Sequence, residues 1–222
     1  MQFSEATLKI LKSFALINNS IHFKKGNRVV IIHPQKVIMG EAIIDESLPV
    51  DCAIFSLSSL LSLESVFKKP EFDFTDNQVN IVAGDRKVEV LYCAPECVFD
   101  GYEKSKHLAL PDNLAEFELS AVEFSYIKQL SLNMRLPHVV FSNKDNQLLL
   151  TLCDIKNSSL GKYETILQHK YLANDSFTCP VLFNNLKVLE GDSYNVTLSS
   201  SIIKLESTEH KLNYWVMLQQ IS

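Results

Sequence analysis

Two lysines stand at the same point of two similar segments. One constant offset matches Ser4 with Ser120, Leu11 with Ile127, Lys12 with Lys128, Phe14 with Leu130, Leu16 with Leu132 and His22 with His138. An internal repeat of this kind sets the domain count before any motif is read. It also implies a surface that recurs, with a cation at the same place in both copies. The other reactive residue types are poorly arranged for catalysis. The six histidines are scattered, with no H-x-x-x-H pair. Cys93 and Cys97 form a lone C-x3-C with no second ligand pair nearby, so no metal site is expected. The run Glu71-Phe-Asp-Phe-Thr-Asp76 alternates as a strand with one solvated face does, and a paired-carboxylate site is disfavoured there. No phosphate loop, dinucleotide fingerprint or nucleophile elbow occurs, and no catalytic residue can be assigned.

The elements that carry the lysines are two amphipathic helices. Ser4 and Ser120 are placed as N-caps, the second with Glu123 in a capping box. In the first helix Leu8, Leu11, Phe14 and Ala15 share one face, while Lys9 and Lys12 share another. Each helix is followed by short strands and a second helix. In the first half that helix runs from Ser56 to about Phe67. In the second half Thr178-Cys-Pro180 opens it, and Gly191 is placed to end it. Strands are expected at 21–23, 28–33, 37–44, 50–55, 72–74, 80–83 and 87–93. In the second half they are expected at 139–142, 148–152, 163–171, 196–198, 202–205 and 212–218. The fold class is therefore α+β. Two similar domains, 1–108 and 114–222, flank a connector at about 95–113. His22 and His138 repeat near a helix-to-strand junction, which points to a structural role.

Five cysteines, an odd number in no framework, suggest reduced thiols in a cytosol-like compartment. No apolar run is long enough to span a membrane and no leader pattern opens the chain, so a soluble intracellular protein without a membrane role is expected. The net charge of -5 argues against nucleic-acid binding unless the positive charge is segregated onto one face.

Several stretches resemble the T-even type of bacteriophage DNA sliding clamp, the polymerase processivity factor. These are Leu8–Asn19, Val50–Leu61, Asn184–Tyr194 and Asn213–Leu218, which together span nearly the whole chain. The resemblance implies the DNA-clamp fold, with two helices packed on antiparallel sheet in each domain. It further implies a head-to-tail homotrimer, forming a six-domain ring around duplex DNA without base readout. The hole-lining cations would be Lys9, Lys12, Lys128, Arg135 and Lys187, with Lys68 and Lys69 as weaker candidates. Ser131 and Glu5 stand where that family tends to carry further basic residues. Partner peptides would dock beside the connector, at Leu108, Leu110, Trp215 and Met217. Implied partners are the phage DNA polymerase, an ATP-driven clamp loader and late-transcription factors, in the cytoplasm of the infected host. No cofactor is implied. Two other readings stand beside it: a β-rich phage structural or scaffold protein with no DNA role, and a small cysteine hydrolase, for which no base or orienter can be assigned.

Overall fold

The computed structural model describes residues 1–105, 108–157, 159–189 and 191–220. The chain divides into two compact units. The first is Met1–Leu108 with His210–Leu212, and the second is Ala109–Glu209 with the chain from Asn213 onward.

The first unit begins with α1 (Glu5–Ile17). Its N-cap is Ser4, whose hydroxyl accepts the Thr7 N–H at 3.1 Å. Asp45 and Glu46 hold the same helix end: Ser4 Oγ donates to Asp45 Oδ2 at 2.8 Å, and Thr7 Oγ1 donates to Glu46 Oε2 at 2.6 Å. Carboxylates at a helix N-terminus also suit its dipole. Leu8, Leu11 and Phe14 recur every third residue and are buried. Phe14 lies so close to Gly40 that an added Cβ would sit 2.7 Å from the ring, so the helix packs on a strand with no side chain at that point.

The strands of this unit are β1 (Ile21–Phe23), β2 (Gly26–Ile32), β3 (Ile38–Leu48) and β4 (Cys52–Ile54), then β5 (Glu71–Phe74), β6 (Gln78–Ala83) and β7 (Arg86–Leu91). β2 pairs with β3, β1 with β4, and β5, β6 and β7 form an antiparallel sheet in that order. β5 alternates exposed and buried, as its sequence predicts. Between β4 and β5 lies α2 (Leu57–Phe67), capped from outside by Asn19, whose Oδ1 accepts the Ser58 N–H at 2.8 Å. A 3-10 turn at Pro95–Cys97 and the one-turn helix α3 (Tyr102–Ser105) give regular structure to a connector in which the sequence shows no periodicity. Connector residues 106 and 107 lie outside the described residues.

The second unit opens with β8 (Ala115–Leu119), which the sequence reading did not assign. Then come α4 (Ala121–Met134), β9 (His138–Lys144), β10 (Gln147–Cys153), β11 (Tyr163–Leu167), β12 (His169–Leu172) and β13 (Thr178–Leu182). The chain continues through α5 (Phe183–Leu186), β14 (Tyr194–Leu198), β15 (Ile202–Ser207) and β16 (Leu212–Met217). Ser120 caps α4, its Oγ accepting the Glu123 N–H at 3.1 Å. One antiparallel sheet runs β11-β10-β9-β13; in another, β12, β8, β14, β15 and β16 follow in that order. Leu119, Phe124, Ile127, Phe141, Leu186 and Val196 meet around one small apolar cavity, so both sheets and the helices share a core.

Three expectations need correction. Thr178-Cys-Pro180 does not open a helix but lies in strand β13. Among the described residues β13 is at a sheet edge with β9 as its one strand neighbour, so the missing Pro180 N–H leaves no gap in a ladder. The helix that follows is only Phe183–Leu186, and Gly191 does not end it. The single strand expected at 163–171 is two strands that serve different sheets, β11 on β10 and β12 on β8. The β9–β10 hairpin turns on two residues, since Lys144 pairs with Gln147. Asp145 and Asn146 both have positive φ, which matches the right-handed twist of the strands.

Candidate nucleic-acid interface

Packing buries one face of each long helix and leaves the other to carry any partner chemistry. On α1 the outward stripe is Glu5, Lys12 and Leu16, with Lys9 half-buried between them. On α2 the exposed positions include Ser58, Ser59, Ser62 and Ser65, and the cations come just beyond its end. Lys68 and Lys69 are both exposed and both left-handed, with φ of 52° and 65°. Arg135 repeats this arrangement after α4, with φ of 56°. A left-handed side-chain residue costs roughly 1–2 kcal/mol, and glycine normally takes this place. A cation recovers part of that through the negative end of the helix. Lys187 is exposed directly after α5.

Lys128 is placed differently from Lys12. Its ammonium donates to the Leu189 carbonyl at 2.7 Å and lies over the Phe124 ring, 4.5 Å from the centroid. The outward face of α4 is instead Val122, Ser125, Tyr126, Gln129, Leu132 and Asn133, which carry no charge. Ser131 is not an outward position either, being 2% exposed with its hydroxyl donating to the Leu136 carbonyl. A basic residue there would be buried.

The residues expected to receive partner peptides lie as follows. Leu108 and Leu110 are half-buried. Trp215 and Met217 share one face of β16, opposite the buried Leu212, Tyr214 and Val216. Trp215 therefore faces away from the core, paired across the strand with Lys204, and Met217 is paired with Ile202.

The repeated histidines each meet a carboxylate. His22 Nδ1 is 3.5 Å from Asp100. His138 is buried, with Nδ1 3.9 Å from Asp154 and accepting the Ile155 N–H at 3.3 Å. The bond from Ile155 ties the buried ring to the backbone that follows β10, a structural role. All five cysteines are free. Burial pushes the thiols of Cys52 up to about 12 and of Cys179 up to about 11, and raises Cys93 and Cys153 as well. Such thiols carry little thiolate at neutral pH and make poor nucleophiles.

No family model matches the chain. It is 28% identical over 168 residues to the sliding clamp of Vibrio phage KVP40, covering 74% of this chain and 76% of that one. It is 24% identical over 204 residues to the sliding clamp of Escherichia phage RB69, covering 89% and 87%. Among solved structures, proliferating cell nuclear antigen of A. fulgidus, bound to the C-terminal region of FEN-1, superposes with a TM-score of 0.70 over 100% of both chains at 13% identity. This chain has the DNA-clamp fold and is related to the sliding clamps of T4-type phages. Both of these relatives are named as sliding clamps. Among the described residues no helix is long and apolar enough to cross a membrane.

Proposed function

We propose that the protein is a DNA sliding clamp: a homotrimeric ring that encircles duplex DNA and tethers the replicative polymerase. The observation that carries this reading is similarity over 89% of the chain to a phage sliding clamp, and exposed Lys12, Lys68, Lys69, Arg135 and Lys187 on or just beyond the helices supply the cations it needs. Affinity in such a ring is topological. A few lysines that touch phosphates without reading bases are enough, and tight contacts would oppose sliding. The whole chain carries a net charge of -5, so the surface outside this cationic set is more negative still and repels DNA. Lys9, Lys12, Lys68, Lys69, Arg135 and Lys187 are the proposed DNA-facing set, with Lys128 supporting α4 from within.

Open sheet edges favour assembly. The outer edge of β5 is occupied by the chain start, where the Phe72 N–H donates to the Met1 carbonyl at 2.7 Å. The edge of β13 is met by Gln219, whose N–H donates to the Pro180 carbonyl at 2.8 Å. β7 and β11 remain unpaired on their outer sides among the described residues. They carry the exposed Leu91 (72%) and Ile166 (54%). Unlike edges on the two units suit a head-to-tail contact, which forms a closed ring when the rotation closes.

Leu108, Leu110, Trp215 and Met217 are the candidate residues for an apolar peptide of the polymerase. The chain has no recognisable nucleotide-binding motif, so ring opening falls to an external ATP-driven loader, in the cytoplasm of the infected host. A role with late-transcription factors extends the same proposal. The test is primed-template synthesis by the cognate polymerase with loader and ATP. Longer products on adding this protein support the reading, and unchanged product length overturns it.

A further inference from the structure

The first part of the connector is built onto the first unit by an unusually dense set of contacts. Tyr102 is 5% exposed, and its hydroxyl donates to the Arg28 carbonyl at 2.7 Å. Lys24 and Arg28 both flank its ring, at 4.8 and 5.4 Å from the centroid. Arg28 is itself held by Glu41 through two hydrogen bonds of 2.9 and 3.1 Å, and it also donates to Ser105 Oγ. Asp100 accepts the Tyr102 N–H at 2.8 Å and pairs with Lys24 at 3.0 Å. Between them Gly101 presses on β2, where an added Cβ would lie 2.8 Å from Val30 Cγ1. Simple closure of the chain between two folded units requires none of this.

We propose that Val98–Ser105 is a docked strap whose anchor, Tyr102, positions the partner-binding stretch that follows. This rests on the reading that polymerase peptides bind at Leu108 and Leu110. Leu108 is three residues beyond Ser105, so even an extended chain holds it within about 11 Å of the anchor. Undocking the strap removes that limit, and partner binding must then order the stretch again, which weakens affinity. Tyr102 and Gly101 are positioning residues that touch no partner themselves.

The test uses the full chain with Gly101→Ala, which strains the seat, and Tyr102→Phe, which keeps the ring and its cations but loses the hydroxyl bonds. Three quantities are measured: affinity for the cognate polymerase, the rate of proteolytic cleavage within 98–110, and the assembled mass. Loss of the hydroxyl's bond to the Arg28 carbonyl, together with the longer one from the Lys24 N–H at 3.4 Å, predicts an affinity drop of about threefold to tenfold for Tyr102→Phe. The expected result is weaker binding and faster cleavage in both variants with mass unchanged, the larger effect in Gly101→Ala. Faster cleavage with unaltered affinity overturns the inference and leaves the clamp reading standing. Absence of polymerase binding by the unsubstituted protein overturns the function reading, and the inference with it.

Discussion

The ammonium of Lys128 sits 2.7 Å from the carbonyl oxygen of Leu189, above the ring of Phe124. Its repeat partner Lys12 is exposed on α1. Equivalent positions in a duplicated sequence have thus taken different work: one cation faces outward, and the other ties a helix to the turn after α5. The carbonyl that Lys128 holds belongs to the turn three residues beyond Leu186, the last residue of α5.

Separate substitutions distinguish these roles. Lys12→Glu is expected to shorten the lifetime of the loaded protein on circular DNA and to make it more salt-sensitive, with thermal stability nearly unchanged. Lys128→Met is expected to lower stability by about 1–3 kcal/mol through the lost hydrogen bond to a charged donor, with a smaller effect on DNA lifetime. The paired measurements are a DNA-retention time course and a denaturant melt.

The open edges give a prediction about assembly. Leu91→Glu on β7 and Ile166→Glu on β11 each place a carboxylate on an exposed apolar edge position. Both are expected to shift the mass in solution from three times the 25.2 kDa chain mass toward a single chain. The folded units should survive, as judged by an unchanged circular dichroism spectrum, because both side chains point away from their own core.

Asp100 gives a pH dependence. Burial works against its charged form, but the Tyr102 N–H and then Lys24 outweigh burial and hold the carboxyl below its usual value. Because the folded value is depressed, this contribution is fully present above the unfolded value of about 3.9 and is lost as pH falls through the folded one. The difference in melting temperature between the native chain and Asp100→Asn should therefore be greatest near neutral pH. It should shrink as the melt is repeated at progressively lower pH below about 4.

Much of the scaffold was legible because it depends on local rules. Ser4 and Ser120 cap their helices as their spacing predicts, and the strands of the first unit fall close to where alternation places them. The misses share a non-local cause. Proline in a helix's first turn and proline on an edge strand look alike locally, and only pairing of Pro180 with Val140 on β9 decides between them. β8 is readable from the alternation of Ala115, Phe117 and Leu119 with Glu116 and Glu118, although the sequence analysis places no strand between the connector and Ser120. Periodicity assigned Lys128 to a helix face, but it could not show a flexible side chain reaching back to Leu189. The aromatic anchor at Tyr102 left no sequence signal, because its partners Lys24, Arg28 and Asp100 come together only in the fold.

Topological linkage to DNA is the central claim, and it is tested most directly on DNA with and without ends. The protein is loaded by the cognate loader and ATP onto nicked circular DNA, separated from free protein, and followed after a restriction enzyme linearises the circle. The account predicts long retention on the circle and rapid loss once ends are present. Equal rates of loss from circular and linear DNA would contradict it.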